Sequence, residues 1–334
     1  MTVTKQTLGA LACLMAFAAL PMWASDQYML HLGTLICAYW ILIAGLNLVV
    51  GFGGQLSIGH VGLLAIGAYG FAIVAGKFGV HPFAALLFSG ALGAACGLLL
   101  GLPSLRLPRF YFAMATLAFS LIVGELILAQ GSLTGGGVGL PVPAFPAPFD
   151  SPRGFYWLVL VIAAVCTWML RNIAHRMWGR ALISIRDNPV AAAAAGVPVF
   201  RAKLIAFIFS GFTAGIAGAL FGSLQSYITP DTFQFELGLF FFVCIIIGGR
   251  GSVFGPLAGT IVLTALPELA SPLARLGTFF YGLMLLFVVL VVPEGIGRVF
   301  EIMVARWRPQ KRASTLINPD LPSLTRAIEA NGRR

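Results

Sequence analysis

Ten apolar runs, most of them close to twenty residues long and separated by short polar breaks, leave this chain little freedom in what it can become. They fall near 8–24, 29–51, 58–76, 82–101, 110–130, 155–172, 201–224, 236–248, 253–270 and 276–292. About twenty apolar residues cross a bilayer as a helix. A membrane β-barrel would instead show short segments of alternating polarity. The chain is 59% hydrophobic and only 10% charged over 334 residues, and a soluble core could not hide that surface. The fold class is all-α and polytopic, with about ten transmembrane or re-entrant helices. The first run follows Lys5 and resembles a signal peptide, but Met22-Trp23-Ala24 lacks a small-x-small cleavage pattern, so it is read as a span. The eighth run is short and stops at Gly248-Gly249, which suits a broken or re-entrant helix.

Basic residues set the orientation. With the N-terminus inside, the cytoplasmic segments hold Lys5, Arg106, Arg109, Arg171, Arg176, Arg180, Arg186, Arg201, Lys203, Arg250 and eight residues of the tail, 18 of the 21 Lys and Arg. Lys77, Arg153 and Arg275 fall outside, and the opposite orientation inverts the ratio. The chain is therefore expected N-in and C-in. Its net charge of +10 is a topology signal and an attraction to the inner leaflet rather than a nucleic-acid patch. The five cysteines, Cys13, Cys37, Cys96, Cys166 and Cys244, lie inside apolar runs at no metal-binding or disulfide spacing.

One segment departs from the apolar pattern. Gly45–Gly70 begins and ends as lipid-compatible helix, but Gly51–His60 between is glycine-dense and carries Gln55, Ser57 and His60. Irregular backbone at membrane depth survives only where protein buries it or where it lines a wet cavity, so the segment reads as part of a transport path. The other polar groups in or beside spans are Asn47, Glu125, Gln130 and Glu268. Asn47, Gln55, Ser57, His60 and Glu125 are the candidate path residues. Three of these polar groups have a plainer reading: Glu125 as one half of an ion pair, His60 as a hydrogen-bonded packing residue, and Glu268, not a path candidate, as an interfacial group.

Small residues every fourth position, at Gly93-Gly97-Gly101, at Ser210-Ala214-Gly218-Gly222 and at Gly255-Gly259, predict close helix packing and nothing about substrate. Two external stretches stand apart. Residues 131–154 hold six Gly and five Pro, a density neither helix nor strand tolerates, and read as a structured loop, lid or docking element; Gln225–Glu236 has no basic residue. The organisation is one transmembrane domain, 1–293, followed by a basic cytoplasmic tail, 294–334, in which a short amphipathic helix is expected to give way to disorder beyond Pro309.

The large loop Arg171–Lys203 is the second informative region. Trp178–Arg186 has apolar residues at helical spacing among basic ones, Ala191–Ala195 favours helix, and Gly196 with Pro198 stops it. Asp187-Asn188-Pro189 is a start signal for the second of two short helices. They form either a solvated connector or a docking element on which a cytoplasmic motor pushes.

The run of alanines ending in Gly196, after RDNP and before FRAKLIAFIFSGFTAGIAGAL, resembles the coupling loop of ABC-importer permeases, and more narrowly that of the branched-chain amino-acid permease family. GLNLVVGFGGQLSIGHVGLLAIGAY at 45–69, TLAFSLIVGELILAQGSLTGGGVGL at 116–140 and IIGGRGSVFGPLAGTIVLTALPE at 246–268 agree with that family in the same order, and the pattern is closer to its M-type subunit than to the H-type partner. The resemblance implies an importer-type ABC permease bundle in a bacterial inner membrane. It implies a second, H-type permease, two cytoplasmic ATP-hydrolysing subunits, and an extracytoplasmic binding protein that delivers leucine, isoleucine or valine. The coupling loop maps to 173–200, with Arg186, Asp187, Ala192 and Gly196 as its contact residues. The family's usual acidic residue in this loop has no counterpart in Ala191–Ala195, which leaves Asp187 or Arg186 to make any ionic contact. Gly249, Arg250 and Gly251 form a cytoplasmic turn beside that surface. The chain carries no GxxxxGK[ST] sequence, so ATP and Mg are expected on the partner subunits and no cofactor on this one.

Two other function classes remain open on sequence. The same architecture carries urea or short amides in related systems. An ion-coupled secondary transporter would work alone, with more intramembrane carboxylates than Glu125. An intramembrane enzyme is disfavoured, because no HExxH, GxSxG or paired His/Asp/Glu set is present.

Overall fold

The computed structural model describes residues 26–269 apart from 106, 250, 253 and 254, and within that range the side chains of all but 105, 109 and 266–269. The expected spans near 8–24 and 276–292, the tail 294–334, Arg250 and the Glu268 side chain lie outside this description.

Seven helical stretches are long and apolar enough to cross a membrane, and an eighth, shorter one follows them, so the protein is a polytopic helical membrane protein. Helix α1 (Gln27–Asn47) starts at Asp26, whose carboxylate accepts the Tyr28 N–H at 3.1 Å, and widens into a π turn at Leu48–Phe52. After a break come α2 (His60–Phe71), extended by a π turn to Lys77, α3 (Pro82–Gly101) and α4 (Arg109–Ala129). A single turn, α5 (Gly131–Thr134), precedes α6 (Pro152–His175), which starts with Pro152 behind an N-capping Ser151. Then follow α7 (Met177–Asp187), α8 (Pro189–Ala194), α9 (Val199–Gln225), α10 (Phe235–Gly248) and α11 (Gly255–Leu269). The eight expected spans between 29 and 270 all appear as helices.

Helix α9 is the hub, packed on α3, α2 and α1, with 72% of its most apolar stretch buried. Its chemistry explains that position. Gly211 and Gly215 lie against the main chain of α3: a Cβ at Gly93 would strike the Gly211 carbonyl oxygen, and one at Gly215 the Ser89 carbonyl oxygen. On a neighbouring face Gly218 lies against Leu64 and Ala68 of α2, as the 210-214-218-222 spacing suggests. The Gly211–Gly215 face, one position round the helix from that spacing, is the one that seats α3. Such contacts let dispersion act over the whole length of two helices where lipid removes the hydrophobic drive. Helices α10 and α11 form a second pair, with Gly248 on Gly255 and Gly259 on the Cys244 carbonyl.

The connections sort to two ends of the bundle. At one end the stretches 131–154 and 225–236 join: β1 (Leu140–Pro141) pairs antiparallel with β2 (Tyr227–Ile228), Leu140 opposite Ile228. Tyr227 Oη donates to the Val138 carbonyl at 2.8 Å, and Lys77 Nζ donates to the Ser132 and Leu133 carbonyls at 2.8 and 2.7 Å. Phe145 is buried against Phe71, Phe83 and Phe155 with ring centroids 5.4–5.7 Å apart, so the glycine- and proline-rich loop is anchored on the helix ends. The other end gathers the α1–α2 break, the α6–α9 loop and the turn after α10, and holds most of the described Arg and Lys.

Candidate functional site

The break between α1 and α2 occupies Gly53–Gly59 and joins two full spans, of 26 and 18 residues, at the basic end. Loops in that position are usually solvated, since backbone polar groups need partners. This one is mostly buried and has partners built for it. The Gly53 and Gln55 N–H groups bond back to the Leu48 and Val49 carbonyls at 3.1 Å, which makes the wide final turn of α1. The Ile58 N–H donates to Thr116 Oγ1 of α4 at 3.1 Å. Gly54 sits at φ +66°, open to glycine at little cost, and at Gly59 a Cβ would run into the Thr116 carbonyl, so α4 rests directly on the connection.

His60, at the first position of α2, is sealed between two hydroxyls. Its Nδ1 lies 2.8 Å from Ser57 Oγ in the break and its Nε2 lies 2.8 Å from Ser210 Oγ on α9, and all three residues are 0% exposed. One ring nitrogen donates and the other accepts, so either tautomer satisfies the pair. The cluster ties the end of the connection to the hub helix. Gln55 is also buried, and its Oε1 has no hydrogen-bond partner among the described residues.

Asn47 and Arg186 approach the break from the other side. Asn47 Nδ2 donates to the Ser252 carbonyl at 2.7 Å, and its Oδ1 accepts the Gly251 N–H at 3.1 Å, so both ends of the buried amide hold the turn after α10. Gly249 and Gly251 turn that loop at φ +97° and +79°. Arg186, the penultimate residue of α7, donates from Nη1 to the Gly51 carbonyl at 2.9 Å, while its Nε lies 3.3 Å from Asp187 Oδ1. Three regions that are distant in sequence therefore meet at Gly51.

Helices α7 and α8 have the form read from the sequence. Asn188 caps α8, its Oδ1 accepting the Val190 and Ala191 N–H groups at 3.0 Å, and Pro189 stands at the first helical position. Gly196 ends the unit at φ +81°. Ala192 is buried against the bundle, whereas Asp187, Val190, Ala191 and Ala193–Gly196 are exposed. Nothing lies within 4 Å of where a Gly196 Cβ would point.

Glu125 is apart from all of this. It is exposed on α4, among Leu121, Ile122, Leu126 and Leu128, and only 22% of the apolar stretch of that helix is buried. Among the described residues, no group of three or more His, Cys, Asp or Glu is placed to hold a metal. The structure thus brings Asn47, Ser57, His60, Arg186 and Gly251 to one region and leaves Glu125 on another face. The sequence reading missed Thr116, Ser210 and Ser252 as partners. The first two are hydroxyls in apolar helices that carry other hydroxyls as well, and nothing in their spacing says that they answer residues 58 and 150 positions away.

The architecture is a multi-pass helical membrane bundle with a buried, hydrogen-bonded break and an exposed two-helix loop at one end. The chain belongs to the family described as branched-chain amino acid transport system / permease component, which matches residues 28–289. It is 30% identical over 322 residues to the high-affinity branched-chain amino acid transport system permease protein LivM of Escherichia coli (strain K12), covering 88% of this chain and 76% of that one. It is 25% identical over 295 residues to the permease protein LivH of the corresponding system of Salmonella typhimurium, covering 81% and 94%. The autoinducer 2 import system permease protein LsrC of Yersinia pseudotuberculosis is 28% identical over 220 residues, covering 63% of this chain and 60% of that one.

Proposed function

We propose that this chain is the M-type membrane subunit of an ATP-driven importer for branched-chain amino acids in a bacterial inner membrane, forming the translocation path with an H-type permease. The match to LivM across 88% of the chain is the observation that carries this reading. In it, two cytoplasmic ATPase subunits bind ATP and Mg, this chain binds neither, and an extracytoplasmic binding protein delivers the substrate. The basic end is cytoplasmic, with ten spans, both termini inside and a single permease domain over 1–293. A pull-down of the tagged chain in mild detergent should bring a second permease and two ATPases. Proteoliposomes of that complex should take up labelled leucine in preference to urea when given ATP. A chain that purifies alone and transports without ATP would overturn the reading.

Helix α4 is the face assigned to the second permease and the path. A carboxylate toward lipid is costly, and ionisable groups in spans face protein or water. Next to it Gly124 has nothing among the described residues within 4 Å of its missing Cβ, so packing among them does not account for the glycine. A zwitterionic substrate presents an ammonium group that a carboxylate on this face can meet. Replacing Glu125 by Gln is expected to lower leucine uptake about tenfold, the scale of one charge-assisted hydrogen bond, at unchanged protein level. Normal transport would remove Glu125 from the path.

The exposed α7–α8 surface is the contact for the ATPase. Glu in place of Gly196 would carry a side chain at φ +81° and a new charge onto it. The strain costs about 1–2 kcal/mol locally. Uptake should fall severalfold while the chain still inserts, and it would persist unchanged if this surface touches no motor.

A further inference from the structure

The contacts at Gly51 suggest how a push on the coupling loop reaches the spans, an inference that rests on the importer reading above. Gly51 lies in the last, widened turn of α1, where helix carbonyls run out of intrahelical donors. Its carbonyl oxygen is taken by Arg186 Nη1 at 2.9 Å. The same arginine's stem supports the next bend: a Cβ at Gly54 would meet Arg186 Cγ at 2.5 Å and Cβ at 3.1 Å, so the left-handed backbone of Gly54 lies on the side chain itself. From the other side, the Cβ position of Gly251 is 3.5 Å from Arg186 Nη1 and 3.6 Å from the Gly51 oxygen, and Asn47 fastens that turn to α1. The Asp187 carboxylate, two-thirds exposed, orients the guanidinium through Nε. Arg186 therefore reaches into the bundle, whereas Asp187 beside it and most of α8 are exposed.

We propose that Arg186 is a positioning residue that carries movement of the ATPase-docking helices to the α1–α2 connection, rather than a contact to the ATPase. A planar guanidinium can hold a carboxylate and a carbonyl at once with its stem packed, whereas an ammonium offers a single point of contact. When α7 is displaced, the Gly51 carbonyl and the Gly54 bend are displaced with it. The start of α2 follows through the backbone of the connection, whose end the Ser57–His60–Ser210 cluster holds in place against the hub helix α9.

The test uses the complete transporter, permease pair, ATPases and binding protein, in proteoliposomes, with leucine uptake and ATP hydrolysis measured in the same vesicles. Arg186→Ala is expected to keep the ATPases at wild-type stoichiometry while uptake per ATP falls about tenfold, within the usual range of coupling between sites. ATP hydrolysis should also stop responding to the loaded binding protein. Arg186→Lys, which keeps the charge but gathers its donors on a single nitrogen, should recover part of the coupling. An Arg186→Ala complex with normal uptake per ATP would overturn the proposal, as would one that loses its ATPases, because that marks a docking contact. If Arg186→Ala does not accumulate, Arg186→Lys decides: reduced uptake per ATP supports the strut, and wild-type coupling overturns it. Wild-type vesicles without ATP-dependent uptake would instead remove the importer reading on which the proposal rests.

Discussion

Leucine in place of Gly215 is expected to remove the folded protein from the membrane. The position is closed from two sides. A Cβ at Gly215 would strike the Ser89 carbonyl oxygen of α3 and pass within 3.2 Å of the Gly90 Cα, while Gly67 of α2 sits so close that its own Cβ position is 2.6 Å from the Gly215 Cα. These are main-chain atoms, and no rotamer change relieves the contact. Overfilling a side-chain core costs about 1–3 kcal/mol because neighbours can shift. Here two whole helices have to move away from the hub, and the packing they lose runs along their length. Gly215→Ala should lower the thermal midpoint in detergent by several degrees, and Gly215→Leu should leave little monodisperse protein. Gly124→Ala is the control: with open space at its Cβ, the isolated chain should lose nothing and gain a little from helix propensity, up to about 1 kcal/mol. Equal losses at both glycines would mean that α9 is not the hub.

That contrast also separates what the sequence could say from what it could not. Spans are legible because each must satisfy its own backbone and offer apolar side chains to lipid, and both requirements are local. Helices α7 and α8 are legible for a similar reason: Asn188, Pro189 and Gly196 act on backbone within a few residues of themselves. The face that seats α3 is not, because small residues occur on several sides of α9 and spacing alone favours Ser210-Ala214-Gly218 over Gly211-Gly215. Which glycine meets another helix depends on how three helices share one neighbour. The same limit governs the site. Polar residues in apolar runs point to Asn47, Ser57 and His60, but their partners Gly251, Ser252 and Ser210 are 150 or more positions away, or are common residues in common places. Pairing across such distances is a property of the assembled bundle. Arg186 shows it most clearly: as a basic residue beside Asp187 in a loop it reads as a surface contact, and only the bundle brings the Gly51 carbonyl within its reach.

His60→Leu is the second large effect expected, and the pattern of its rescue identifies what the histidine does. The substitution keeps a bulky apolar side chain but strips the ring from two hydroxyls that have no access to solvent. A buried donor left unpaired costs about 1–3 kcal/mol. The two serines differ in what they can do next. Ser210 lies within α9, where a serine hydroxyl can turn back to the carbonyl four residues earlier. Ser57 lies in the irregular break, with no such turn beneath it. Most of the loss should therefore come from Ser57. His60→Leu is expected to destabilise by about 2–4 kcal/mol; adding Ser57→Ala should return about 1–2 of that, and adding Ser210→Ala less than about 0.5. Thermal unfolding of the four proteins in one detergent measures this directly. Transport adds the functional half. Because the cluster is sealed inside this chain, it is expected to hold the connection rather than to meet substrate, and His60→Leu/Ser57→Ala should import leucine at close to the wild-type rate per folded protein. A double variant that is stable yet inactive would show instead that the imidazole meets the substrate at some stage of the cycle, and the translocation path would then have to run through the break itself rather than along the open face of α4.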